Sequence, residues 1–238
     1  MEEHQIKKGT IDALPIVLGY LPVGVAFGLL ARQAGLTSAE IGLMSLLVYA
    51  GASQFIAVEM ILKGMVGLPI LITTFLINLR HLLMSSTLSL YFQRNRPFIL
   101  ALLSAQLTDE SFAMAMSNPS KIENQPQYLL GLQSTSHLAW ITGSVLGAFF
   151  GGWIHPQSYG IPFALPALFI CLLLLQLRHL LHFYLMGIAG TLSILFKSFL
   201  PGNWYIILTA LITSGLGIAL ERRVFPLKGL PKGGTGKE

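Results

Sequence analysis

Arg80, Asp109 and Glu110 each fall near the middle of a long apolar run. A charge at the centre of a membrane-spanning helix costs roughly 2.5–3.5 kcal/mol on insertion scales. Three such charges are expected to face one another, a water-filled cavity or a ligand. Arg80 lies 12 residues before Phe92, and Asp109 lies 11 residues after Phe98. At about 1.5 Å per residue, both sit roughly 17–18 Å from the short turn between these runs. If the two runs are antiparallel helices, Arg80 and Asp109 meet at one depth. The pair then either ties two helices together or lines a substrate or proton path.

Other polar residues share this setting. Gly51-Ala52-Ser53-Gln54 occupies the centre of the run 41–62, and Asn78 and His81 flank Arg80 in the run 65–92. The small Gly51 and Ala52 permit close helix approach or local unwinding that frees carbonyls. Ser53 and Gln54 add hydrogen-bonding groups in a dry environment. Glu59 and Lys63, spaced i, i+4, read as an interfacial pair. His137 and His155 stand as single histidines, and His179 and His182 beside Arg178 read as an interfacial basic cluster rather than a metal site.

The elements that position these groups follow from composition. Of 238 residues, 53% are hydrophobic and 11% charged, against about 25% charged in soluble domains. The mean hydropathy is +0.68. A span needs about 20 apolar residues. Candidates are 13–31, 41–62, 65–92, 98–117, 128–150, 162–177, 180–196 and 203–220. The expected fold is all-α and polytopic, with about eight transmembrane helices (seven to nine), some broken by Pro or Gly. Pro15, Gly19, Pro22, Gly24 and Gly28 make the first helix easy to bend. Gly24–Gly28, Gly143–Gly147 and Gly147–Gly151 are GxxxG faces suited to close packing. Pro15, Pro22 and the later spans argue against reading the first run as a cleaved signal peptide. Thr37-Ser38-Ala39-Glu40 fits a capping box.

Residues 1–12 are expected as a cytoplasmic segment, 13–220 as one transmembrane transporter domain, and 221–238 as a basic, disordered cytoplasmic tail. With eight spans, ten Lys and Arg fall on the N-terminal side and four on the other. This places both termini in the cytoplasm. The net charge of +5 comes with no basic face for nucleic acid. The tail's GGTGKE lacks phosphate-loop spacing. No nucleophile–base spacing or metal-ligand set marks an enzyme, and no cofactor is implied. Cys171 is the sole cysteine and allows no internal disulfide. Two classes remain: a secondary transporter, and a non-transporting assembly subunit whose polar clusters serve packing.

LPIVLGYLPVGVAFGLLA at 14–31, YAGASQF at 49–55, NLRHLLM at 78–84, TDESFA at 108–113 and FALPALF at 163–169 occur in this order. Together they resemble the AzlC-type branched-chain amino acid permease family over about residues 10–220. The resemblance implies the large subunit of a two-component exporter in a bacterial cytoplasmic membrane, working with a small AzlD-type membrane subunit. The implied substrates are leucine, isoleucine and valine, in some members methionine or others. Family members often carry an acid before FALP, where this chain has Pro162. For a zwitterionic substrate, Arg80 would take the carboxylate, and Asp109 or Glu110 the ammonium or a coupling proton. Ser53, Gln54 and Asn78 would complete the polar end, and Tyr49, Gly51 and Phe55 the apolar end. His81 is a second candidate for coupling.

Overall fold

A computed structural model of the chain describes residues 2–92, 95–123, 125–151, 153, 160, 163, 166–167, 170, 173–174, 177, 180–199 and 204–224. Pro162, Cys171, His155, Arg178, His179 and the tail beyond 224 lie outside these residues. The described structure is all-helical. Its contacts group into two compact units, Met1–Leu172 and Leu173–Glu238.

In the first unit, α1 (Glu2–Asp12) and α2 (Leu14–Gln33) join at Ala13, whose amide donates to Gly9 O and whose carbonyl accepts from Val17 N. The Pro- and Gly-rich stretch does not interrupt α2: Pro15 sits in its first turn, and Pro22 lies inside a helix that continues to Gln33. Both helices lie along α8 (Pro126–Phe150). Glycines make this closeness possible. A Cβ at Gly28 would strike the Ser144 carbonyl, and one at Gly147 the Val25 carbonyl. Gly9 and Gly131 extend the seam, meeting the carbonyls of Tyr128 and Ile6. Lipid tails are as apolar as leucine, so helices in a bilayer gain from backbone approach and dispersion rather than from escaping water.

At the end of α1, Asp12 accepts hydrogen bonds from Lys121 Nζ at 2.6 Å and Tyr128 Oη at 2.7 Å. The Lys121 bond holds the Asp12 carboxyl below its usual range; partial burial opposes this and the Tyr128 hydroxyl adds to it. A lowered carboxyl contributes stability above its unfolded value of about 4, lost as pH falls through the folded value. Asp12→Asn is therefore expected to lower Tm in detergent at pH 7, by a difference that shrinks as pH falls below about 4. A Tm difference unchanged from pH 7 to pH 3 would rule out this contact as the source.

The Thr37–Glu40 capping box opens α3 (Ser38–Leu47), as the sequence indicates. Then comes α4 (Gly51–Leu62), with Glu59 and Lys63 paired at 2.6 Å on its exposed side. α5 (Leu68–Ser89) is long and carries exposed apolar residues such as Phe75 and Leu83, suited to lipid. α6 (Pro97–Ala105) and α7 (Asp109–Ser117) follow. Of these helices, α3, α4, α6 and α7 pack on α2 or α8, and α5 packs on α4 and α6. In the second unit, α9 (Leu180–Phe199) and α10 (Trp204–Val224) pack on one another.

Two expected spans are not continuous helices. The run 41–62 breaks at Val48–Ala50, where Tyr49 takes a φ of 40°. That is a left-handed backbone which a bulky residue enters only against strain. The run 98–117 breaks at Gln106–Thr108, and its two halves meet at a bend of 118°. Neither break contains proline. The first lies in apolar sequence and hydropathy does not mark it; the second carries Gln106 and Thr108 just before Asp109 and Glu110. By length and apolarity α2, α5 and α9 can each cross a bilayer, and α6 with α7 makes a fourth if the bent pair is one span.

Candidate functional site

The two breaks bring helix N-termini to one small cavity. Tyr49, Ala50, Gly51 and Ala52 line it from the start of α4, and Thr108, Asp109 and Glu110 from the start of α7. Arg80 and His81 enter from α5, Tyr20 from α2 and Trp140 from α8. The enclosed space is about 20 Å³, close to what one water needs. An amino acid therefore enters only when a wall moves.

Arg80 Nη2 lies 2.9 Å from Asp109 Oδ2, so the two charges that the depth argument pairs do meet. The route differs from two straight antiparallel helices, however. Asp109 and Glu110 occupy the first turn of α7, where the helix dipole favours negative charge. The break thus explains why two adjacent acids are tolerated here. Thr108 caps α7 reciprocally with Ser111. Tyr20 Oη stands 2.6 Å from Glu110 Oε2 and 2.8 Å from Thr108 Oγ1, tying α2 to this turn.

The start of α4 is different. Its N-cap residue is Ala50 and no side chain caps it. The first amide bonded back into the helix is Gln54 N to Ala50 O. The amides of Gly51, Ala52 and Ser53 are thus the unpaired first-turn donors of a helix. Nearby, Arg80 Nε and Tyr49 Oη are buried and make no hydrogen bond of good geometry among the described residues. Such donors at a helix N-terminus favour an anionic partner.

Ser53, Gln54 and Asn78 do not line the cavity but stand behind its wall. Ser53 Oγ donates to Asn78 Oδ1 at 2.5 Å, joining α4 to α5. Gln54 is fully buried and accepts from Trp140 Nε1 at 3.0 Å. Phe55 packs edge-on against Phe27 in the core. His81 is held at its own helix by Asn78 O, 3.2 Å from Nδ1. His137 is not partnerless: its Nε2 lies 3.0 Å from Ser45 O and its ring stacks on Tyr49 at 3.9 Å. Tyr20 and Trp140 were not among the residues the sequence singles out, and Thr108 stood there only as a neighbour of the two acids. Thr108-Asp109-Glu110-Ser111 carried a local sign, because a capping residue mid-run marks a helix start. Tyr20 and Trp140 carried none, being aromatic residues in apolar helices. Among the described residues no three His, Cys, Asp or Glu side chains are grouped to hold a metal ion.

A helical protein that crosses the bilayer more than once and gathers an ion pair, a second carboxylate and an uncapped helix end at one cavity belongs to the multi-pass membrane class. The family described as AzlC protein matches residues 15–154, which includes every residue lining the cavity. The chain belongs to the AzlC family. It is 37% identical over 175 residues to an uncharacterized membrane protein of Archaeoglobus fulgidus, covering 72% of this chain and 76% of that one. It is 35% identical over 175 residues to the inner membrane protein YgaZ of Escherichia coli, covering 70% and 71%. It is 25% identical over 213 residues to the branched-chain amino acid transport protein AzlC of Bacillus subtilis, covering 88% and 82%. No solved structure matches the chain.

Proposed function

We propose that this chain is a secondary transporter that exports leucine, isoleucine and valine across a bacterial cytoplasmic membrane. It runs on a proton gradient and works with a small AzlD-type subunit. The observation that carries the reading is the uncapped start of α4 beside the unpaired Arg80 Nε and Tyr49 Oη, in a cavity that also holds Asp109 and Glu110. Donors for a carboxylate and carboxylates for an ammonium are the complement of a zwitterion. Broken helices that present their N-terminal ends to an anionic group recur in secondary transporters. The name of the Bacillus relative gives the substrate class. In this reading α3 with α4, and α6 with α7, form broken spans within a total of about eight. Both termini are cytoplasmic. The Asp12–Lys121 contact sets the end of α1 beside the loop before α8, which agrees with the N-terminus and Lys121 being counted on one side.

Reconstitution in proteoliposomes tests the proposal. With the small subunit present and an imposed proton gradient, labelled leucine, isoleucine and valine are expected to move against their gradients. This chain alone is expected to give little transport. Full transport by the chain alone would remove the partner from the proposal. No transport of any amino acid with the partner present would favour the assembly-subunit reading.

A further inference from the structure

The aromatic rings of Tyr20, Tyr49 and Trp140, with Ala50 and Ala52, supply the apolar part of the cavity lining. Tyr20 and Tyr49 carry hydroxyls, so Trp140 is the large lining side chain without a charged, hydroxyl or imidazole group. An aliphatic side chain entering the cavity therefore meets the indole of Trp140 beside the bare backbone at Gly51. A Cβ at Gly51 would lie 3.2 Å from Trp140 Cη2, so indole and backbone already stand at near-minimum separation.

Trp140 is fixed from several sides. Its Nε1–H donates to Gln54 Oε1 at 3.0 Å. Its ring stacks on Phe27 at 5.9 Å and meets the edges of Tyr20 at 5.5 Å and Phe55 at 6.4 Å. Its backbone belongs to the glycine seam, because its carbonyl oxygen would lie 3.1 Å from a Cβ at Gly24. A ring held by a hydrogen bond and three aromatic contacts on a close-packed helix pair does not shift to fit a ligand. The walls free to move are those at the breaks.

We propose that Trp140 is the specificity-determining residue of this site. Its indole closes the apolar end of the slot and sets the largest substrate side chain accepted. Gln54 is the positioning residue that fixes the indole. This assigns Gln54 a place behind the wall rather than a contact with substrate. The inference rests on the amino acid transport reading above and adds the residue that selects within that class.

The test uses the full chain reconstituted with its small subunit, and reads transport of phenylalanine, leucine and alanine from equimolar mixtures. Trp140→Phe enlarges the slot and is expected to raise the phenylalanine-to-leucine ratio about tenfold or more, the scale at which hydrophobic pockets discriminate by size. Gly51→Ala shrinks it and is expected to raise the alanine-to-leucine ratio. Gln54→Leu, which keeps the bulk but frees the indole, is expected to move the phenylalanine ratio in the same direction as Trp140→Phe and by less. A merely structural role would change total transport and leave the ratios alone. If Trp140→Phe does not fold, Gly51→Ala carries the test: its methyl sits against the indole, so ring or helix gives by a few tenths of an ångström while Trp140 and Gln54, the partners of the hydrogen bond, are both retained. Flat ratios in folded variants, with leucine transport intact in the parent protein, overturn this inference and leave the transport reading standing. A parent protein that moves no amino acid overturns both.

Discussion

Glu110→Gln is expected to reduce net, gradient-driven efflux of leucine to background while exchange of labelled leucine across the membrane continues. The amide keeps the size of the carboxyl and can still accept from the Tyr20 hydroxyl, which lies 2.6 Å from Glu110 Oε2. It cannot take up and release a proton. Exchange needs substrate binding and alternating access but no net proton movement, so the two readouts separate coupling from binding. The local geometry also sets what the proton would change. The Tyr20 hydroxyl has one proton and, among its neighbouring oxygens, Glu110 Oε2 and Thr108 Oγ1 compete for it. A protonated Glu110 donates to Tyr20 and turns its hydroxyl toward the cap of α7; an ionised Glu110 draws that hydroxyl to itself. Proton occupancy is thereby linked to the break between α6 and α7. Measured in proteoliposomes with a pH gradient, undiminished efflux by Glu110→Gln would remove Glu110 from coupling and leave Asp109 and His81 as the titratable side chains of the cavity to test.

Arg80→Ala and Asp109→Ala are each expected to lower the yield of folded protein sharply, and the double variant to lower it less than the sum of the two. The side chains are 31% and 18% exposed and lie 2.9 Å apart. Removing one leaves the other charge uncompensated in a low-dielectric setting. A coupling energy on the order of 1–3 kcal/mol is expected between residues in direct contact. The comparison is made on folded protein recovered in detergent and on transport. Strict additivity in yield would refute energetic pairing. The double variant is expected to fold but not to transport, because it lacks both the Arg80 donor and the Asp109 carboxylate. A double variant that folds and transports normally would reduce the pair to a packing contact.

Some of this protein was legible one residue at a time. Sustained apolar runs with few charges specify a helical membrane protein, since a bilayer accepts only backbones that satisfy their own hydrogen bonds. The capping box at Thr37–Glu40 and the glycine pairs 24–28 and 143–147 were local patterns with local physics, and the structure has them as cap and seam. Arg80 and Asp109 stood out because mid-membrane charges are expensive wherever they occur. The breaks were a different matter. Val48–Ala50 is as apolar as its surroundings, and Tyr49, at a φ of 40°, stacks its ring on that of the distant His137. The 118° bend between α6 and α7 has a cap written at Thr108–Ser111, but the bend is set by what packs around it. Which polar residues reach the cavity was likewise decided in three dimensions. Ser53, Gln54 and Asn78 have the right chemistry but are spent on Asn78, Trp140 and Ser53 behind the wall. Tyr20 and Trp140 reach it because glycines let α2 and α8 approach closely. The sequence by itself determined the class of protein and the charges that must be compensated, because both follow from transfer energies of single residues. The tertiary structure alone decided the cavity and its lining, because these depend on contacts between residues far apart in the chain, from Arg80 with Asp109 to Tyr20 with Trp140.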